Sequence, residues 1–314
     1  MIKHYIFRLS VLIFSSCAFA QQDVLYSQYM FNQMAFNPAF AGSQNKLNAS
    51  LLHKQYYIPG AYNSNFQNFQ LHSPAYHKKI GLGVQVTNER SFLTQNLEFS
   101  AVYAYRIIIS KGVLAMGVGF GFKQSKYNLE GSNVLIKDPD DPVLNNVQKP
   151  VISPDIQAGM YYQRKNWQWG LSAKNMISTF VVNNSPYEVR KLHLYFHSGY
   201  KAKISSELEL ISFALLKYAV AFPAQLDLTT HFVYNKFVWA GFSYRTYQAF
   251  SIQSGIKIDK IVPKLKQDIK IGYAFDYYAG LSFSSHEIML LINWESHKSP
   301  DKIKKQKAQI SPFF

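Results

Sequence analysis

Residues Val113–Lys123 read VLAMGVGFGFK. Leu114, Met116, Val118, Phe120 and Phe122 fall on one parity; Ala115, Gly117, Gly119, Gly121 and Lys123 fall on the other. A period of two places successive side chains on opposite faces of a β-strand. One face here is bulky and apolar, the other small or charged. The length matches the roughly 9–11 residues that a tilted strand needs to cross a bilayer, whereas strands of soluble sheets centre on about 5–6. A strand with one oily face and one small or polar face fits a wall between hydrocarbon and lumen.

The same alternation recurs along the chain. Lys79–Thr87 sets Ile80, Leu82, Val84 and Val86 against Gly81, Gly83, Gln85 and Thr87. Asn96–Ile107 sets Leu97, Phe99, Ala101, Tyr103, Tyr105 and Ile107 against Glu98, Ser100, Ala104 and Arg106. Gln225–Tyr234 and Asp268–Tyr277 repeat it. Further candidate strands are Leu47–Tyr56, Asn65–Ser73, Ile156–Gln163, Trp167–Asn175, Leu192–Ala202, Glu207–Tyr218, Phe237–Arg245, Ala249–Ile258 and Glu287–Glu295. Together they predict an all-β fold, a transmembrane antiparallel β-barrel of about 14 strands. An even count leaves both chain ends on the periplasmic side.

Composition supports this class. Hydrophobic residues make up 48% and aromatics 16%, yet mean hydropathy is only −0.13, and no apolar run is long enough for a membrane helix. Residues 1–20 carry Lys3 and Arg8, then an apolar run ending in Ala18-Phe19-Ala20. This is the layout of a secretory signal peptide. Cys17 offers a rival reading as a lipidation site, but the third residue before it is Phe14 rather than a small aliphatic one. It is the only cysteine, so cleavage after Ala20 leaves a mature chain without disulfides, thiolate catalysis or cysteine metal sites. The formal charge is +15. In an exported chain that favours acidic envelope partners or anionic outer-membrane lipid over nucleic acid.

The longest gaps between strands are Ser125–Ser153 and Thr179–Lys191. They read as extracellular loops, since those are the long ones. Asp138, Asp140 and Asp141 in the first lack the full set of oxygen donors that calcium requires. His193, His197 and His231 fall on the inferred lumen faces, but no spacing marks a Ser-His-acid set. His286-Glu287 cannot chelate one ion well, because strand neighbours point to opposite faces. GVGFG at Gly117–Gly121 is not a phosphate loop. The reading is therefore of a non-enzyme without cofactor or metal.

Four stretches carry a family resemblance: SQYMFNQMAFNPAFAGS at Ser27–Ser43, WAGFSYR at Trp239–Arg245, IGYAFDYYAG at Ile271–Gly280 and SHEIMLLINWE at Ser285–Glu295. With them the mature chain resembles the PorP/SprF family of type IX secretion and gliding-motility outer-membrane proteins. The resemblance implies a barrel that serves secretion rather than chemistry. It implies partners too: a secreted cargo protein or its C-terminal sorting domain, and a periplasmic peptidoglycan-associated lipoprotein. The chain departs from the family pattern after the last strand, where HKSPDKIKKQKAQISPFF continues from His297.

The expected organisation is a signal peptide over residues 1–20, an N-terminal plug-like segment over 21–44, a barrel over 45–296 and a basic tail over 297–314. The segment Ser27–Ser43 has no charge, and Asn37-Pro38 cuts it before it could make a long helix. It is expected to start in the periplasm and fold into the lumen or against the periplasmic mouth. Tyr29, Met30, Phe31, Met34, Phe36 and Phe40 would pack on the wall, and Asn37-Pro38 would turn the chain. These residues, with Lys302, Lys304 and Lys305 of the tail, are the candidate partner-binding positions. The alternative function is a porin-like or hydrophobic-substrate channel, which requires an open lumen and solute-dependent conductance.

Overall fold

The computed structural model describes residues 26–59, 64–76, 78–91, 94–127, 150–177, 191–220, 222–246, 249–258, 267–279 and 283–294. Three short 3-10 helices, Tyr29–Phe31, Gln33–Ala35 and Pro38–Phe40, precede fourteen strands. These are β1 (Leu47–Tyr57), β2 (Asn65–Ala75), β3 (Ile80–Arg90), β4 (Thr94–Ile109), β5 (Gly112–Tyr127), β6 (Val151–Arg164) and β7 (Trp167–Lys174). They continue as β8 (His193–Lys203), β9 (Leu208–Ala219), β10 (Gln225–Tyr234), β11 (Val238–Arg245), β12 (Ala249–Lys257), β13 (Asp268–Tyr278) and β14 (Phe283–Trp294). Each strand pairs antiparallel with its sequence neighbours, and β1 pairs with β14 from Leu47↔Trp294 to Tyr57↔Ser284, closing the barrel. Closure leaves no strand edge, as a spanning sheet in hydrocarbon requires.

Alternation decides which side chains face out. On β5, Met116, Val118, Phe120 and Phe122 are exposed, while Ala115, Gly117, Gly119 and Lys123 are buried. On β10, Leu228 and Phe232 are exposed while Asp227, Thr229 and His231 are buried. On these strands apolar side chains thus line the outside and small or polar ones the inside, the inverse of a soluble barrel.

Every strand read from the sequence corresponds to one observed strand, but several run longer. β4 and β5 are 16 residues each and pair from Thr94↔Tyr127 down to Ile109↔Gly112. The turn-side end of β4 escaped the pattern because Ile107-Ile108-Ile109 is apolar at every position, which breaks the period of two. β14 starts at Phe283, ahead of the expected Glu287, and β6 starts at Val151, ahead of Ile156.

The connections sort by end. At one end they are residues 76–79, 110–111, 165–166, 204–207, 235–237 and 258–267. Six non-glycine residues there turn the chain with φ between 35° and 64°: Tyr76, Lys78, Ser110, Lys165, Asn235 and Lys236. Tight hairpins that match strand twist need this left-handed conformation. The opposite end carries the longest connections, 128–150 and 175–192. Short turns face the periplasm and long loops face outward in outer-membrane barrels, so these are the turn end and the loop end. Asp138, Asp140 and Asp141 lie in 128–149, outside the described residues, as do residues 1–25 and the tail with Lys302, Lys304 and Lys305.

Phe120→Arg places a charge on the outer wall of β5. It is expected to lower unfolding stability in bilayers by about 2–4 kcal/mol if Phe120 lies near the midplane. Denaturant titration of the chain refolded into vesicles measures this, with Lys126→Arg near the loop end as a control of small effect.

Candidate functional site

The segment upstream of β1 lies inside the ring of strands. Every residue from Ser27 to Gln44 is buried. Three single-turn helices suit the sequence, because each 3-10 turn closes an i→i+3 bond without committing to a longer helix. Asn37 starts the last of them. Its side chain accepts a hydrogen bond from Ala39 N at 3.0 Å, and Pro38 takes the first helical position, where no donor is needed. Gly42 then adopts φ 70°, a conformation costly for other residues, as the chain turns towards β1.

Apolar contacts fix the segment from several directions. Tyr29, Met30, Phe31, Ala35 and Phe36 form one cluster with Tyr195, Phe213, Leu215, Trp239, Met289 and Leu291. Met34, Ala39, Phe40 and Ala41 form another with Val102, Ala104, Ala115 and Tyr161. Full burial of large apolar side chains contributes roughly 1.5–3 kcal/mol each. Phe31 stacks on His231 at 5.8 Å between ring centroids, and Phe36 meets His197 edge-on at 5.2 Å. These lumen histidines thus serve as packing surfaces. His231 Nε2 also lies 2.8 Å from Gln253 Oε1, and His193 Nδ1 lies 3.1 Å from Asn175 Nδ2. Among the described residues no group of His, Cys, Asp and Glu could hold a metal ion.

The wall is shaped to admit the segment. A Cβ on Gly117 would lie 2.4 Å from Ala39 N, and one on Gly81 would overlap the Ala41 carbonyl. The inward glycines of β5 and β3 therefore mark close backbone approach.

Polar anchors hold both ends. At the upstream end Lys54 Nζ lies 2.7 Å from Asp276 Oδ2 and 3.7 Å from Glu287 Oε2. The Ser27 hydroxyl donates to Asp276 at 2.7 Å, and Lys54 Nζ donates to that hydroxyl oxygen at 3.0 Å. Glu287 accepts from the backbone N–H of Ser27 and of Gln28, each at 2.8 Å. Arg245 pairs with Asp227 at 3.0 Å and donates to the Tyr26 carbonyl at 3.0 Å. The Tyr29 hydroxyl donates to the Asp227 carbonyl at 3.2 Å. Midway, Lys174 Nζ donates to the Ala35 carbonyl at 3.0 Å, and Asn37 Nδ2 donates to the Met160 carbonyl at 2.9 Å. At the downstream end Arg106 Nη1 donates to the Gly42 carbonyl at 2.6 Å.

Each of Tyr29, Met30, Phe31, Met34, Phe36, Asn37, Pro38 and Phe40 is therefore buried in one continuous assembly. Sequence reasoning did not single out Lys54, Asp227, Arg245, Asp276 or Arg106. Their signal was a charged residue on the inward parity of an otherwise apolar strand. The pair His286-Glu287 divides between faces: Glu287 points inward to the segment, while His286 Nδ1 lies 2.6 Å from the hydroxyl of Tyr273. The start of the segment is displaced from expectation, because Ser27 lies towards the loop end and only its downstream end reaches the turn end.

A closed antiparallel ring with an apolar outside and a polar inside defines an outer-membrane β-barrel protein. The model of the type IX secretion system membrane protein family PorP/SprF matches residues 18–292, so the chain belongs to that family. The family places it as an outer-membrane component of type IX secretion. No curated protein matched the chain. Among solved structures it is similar to the CymD monoaromatic hydrocarbon channel, with 10% identity, TM-score 0.52 and coverage of 85% of this chain and 94% of that one. A TodX monoaromatic hydrocarbon channel deltaS2 mutant gives 10%, 0.50, 85% and 94%. A FadL homologue of Pseudomonas aeruginosa gives 9%, 0.49, 83% and 93%. At these identities the likeness is one of fold.

Lys54→Met leaves Asp276 and Glu287 buried without their cation. It is expected to cost about 3–5 kcal/mol, the usual loss when one partner of a buried ion pair is removed. The triple change Lys54→Met, Asp276→Asn, Glu287→Gln is expected to recover part of that in the same denaturant titration. Gly117→Val is expected to expose residues 26–46 to protease while the strands stay protected.

Proposed function

We propose that this barrel works without catalysis as an anchoring and receiving module of the secretion system. Its loop end holds a secreted cargo protein or the sorting domain of one, and its turn end docks a periplasmic peptidoglycan-associated lipoprotein. The observation that carries the reading is the filled interior. Among the described residues, a cavity beside Ser27 and Tyr29, lined by Asp227, Arg245 and Asp276, is about 10 Å³, on the order of one water molecule. A barrel occupied this way acts through its two ends rather than through a passage.

The turn end supports the periplasmic half of the proposal. Lys78, Lys79, Lys111, Arg164, Lys165, Lys203 and Lys236 are exposed there, beside the acid Glu207. Such a field attracts an acidic partner and is screened by salt. The sequence that follows β14 carries further positive charge in Lys302, Lys304 and Lys305. The segment residues Tyr29, Met30, Phe31, Met34, Phe36, Asn37, Pro38 and Phe40 act as the internal brace that keeps both ends fixed.

Affinity purification from native envelopes tests the proposal. A surface protein and a periplasmic lipoprotein are expected to co-purify. Lys111→Glu, Lys165→Glu and Lys236→Glu together are expected to lose the lipoprotein and keep the cargo, and raised ionic strength is expected to do the same to the native chain. Recovery of neither partner, under mild detergent and low salt, would contradict the anchoring role.

A further inference from the structure

We infer that the outer wall beside the β1–β14 seam carries a glycolipid site, which holds the saccharide–acyl junction of an outer-leaflet lipid against His53, Gln55, Asn65, Gln67, Asn88 and His286. All six lie on the outward parity of β1, β2, β3 and β14. Near the loop end of other strands that parity carries rings, as with Phe122 on β5, Phe250 on β12 and Phe275 on β13. Here the register lays polar residues in two adjacent rows. One runs Asn88, Gln67, His53; the next runs Asn65, Gln55, His286. Towards the turn end the following row is Val86, Phe69, Leu51 and Leu290. Towards the loop end come Tyr57 and Tyr277. The rows thus sit just beneath aromatic residues of the kind that girdle the interface, where the sugar of a glycolipid meets its acyl chains. An open groove of about 480 Å³ follows the rows, lined by His53, Gln55, Tyr57, Asn65, His286 and Ile288. A second, of about 600 Å³, has Tyr57, Pro59, Phe275, Tyr277 and Phe283 in its lining. Both volumes fall in the range of small-ligand sites.

Hydrogen bonding decides the occupant. Hydrocarbon cannot satisfy amides and imidazoles, and the wall meets only part of their need. Asn88 Nδ2 donates to Gln67 Oε1 at 3.4 Å, and His286 Nδ1 lies 2.6 Å from the Tyr273 hydroxyl. Gln55 Nε2 donates to the carbonyls of Tyr56 and Ser64 at 3.3 and 3.1 Å. The Gln67 amide nitrogen, the Gln55 amide oxygen, His286 Nε2 and the His53 ring have no bond among the described residues. This set contains both donors and acceptors. A sugar hydroxyl matches it, since a hydroxyl gives and takes. A phosphate only accepts, and would meet the Gln55 oxygen with like polarity; the cation bordering the rows, Arg90, pairs in register with Asn65 at their edge. Acyl chains of the same lipid then run along Leu51, Phe69, Ile288 and Leu290. Tyr57 lines both grooves and meets His286 edge-on at 5.2 Å. A lipid branches around such a ring, whereas a partner's helix or strand would have to bridge it. The site rests on the orientation used above, because with the long connections turned inward these rows would face the inner leaflet.

Lipid retention by the purified full chain tests it. The chain is moved from phosphatidylethanolamine vesicles, with or without rough-type lipopolysaccharide, into mild detergent, and bound lipid is counted by native mass spectrometry. The native chain is expected to retain lipopolysaccharide. His53→Leu and Gln67→Leu together, which make the rows resemble the rest of the wall, are expected to weaken retention about tenfold, the worth of two hydrogen bonds. Phe250→Leu, on the wall away from the seam, is expected to change nothing. Phosphatidic acid, a phosphate without a sugar, is expected not to displace lipopolysaccharide from the native chain, and this arm stands even where the double variant misfolds. The inference is overturned if the native chain retains no lipopolysaccharide, if the folded double variant retains as much as the native chain, or if phosphatidic acid displaces it. A photoreactive residue at position 67 that captures a protein in native envelopes, with no glycolipid adduct, would also overturn it and assign the rows to a protein partner.

Discussion

Lys54, Asp276 and Glu287 stand together inside the barrel with no access to solvent, Lys54 Nζ lying 2.7 Å from one carboxylate and 3.7 Å from the other. Isolated charges in such a place cost several kcal/mol each. They are tolerated because Lys54 pairs with both carboxylates, Lys54 and Asp276 share the Ser27 hydroxyl, and Glu287 accepts from the backbone N–H groups of Ser27 and Gln28. Three strands, β1, β13 and β14, supply the charges, and one of their joints is the β1–β14 seam that closes the ring. The cluster thus couples closure of the wall to placement of the segment. Without the segment, Glu287 would lose two donors. Without Lys54, two buried acids would face each other.

The rest of the interior follows from this placement. A segment held at Ser27 has to find room lower down, and inward glycines provide it where the backbone comes closest, at Gly117 and Gly81. Polar side chains of the wall then reach to carbonyls of the segment, as Lys174 does to Ala35 and Arg106 to Gly42. Apolar rings fill what remains. The outside of the wall answers to a different solvent, and its Phe, Tyr, Ile and Leu residues need no partner within the chain. One sheet therefore separates two packing problems, and function moves to the rims.

Much of this was legible in the sequence. The two-residue period in β5 gave strand, length and facing in one reading, since hydrocarbon on one side and a crowded interior on the other select opposite side chains at each step. The run Ile107–Ile109 defeated it, because apolar residues on both parities carry no facing signal. Burial of Tyr29, Met30 and Phe31 was legible from their oiliness in an exported chain. The direction of the segment was not, for a peptide without charges or long helices carries no mark of which end leads. The anchoring charges were visible as inward-parity residues, but pairing Lys54 with Asp276 needed the barrel to close across most of the chain.

The central claim is that residues 26–44 occupy the lumen of a membrane-spanning ring. Electrical recording from the purified full chain in planar bilayers tests it most directly. The account predicts no resolved ionic steps from the intact protein. Stable, solute-sensitive currents of porin size from intact protein would mean that the interior is open, and would contradict it.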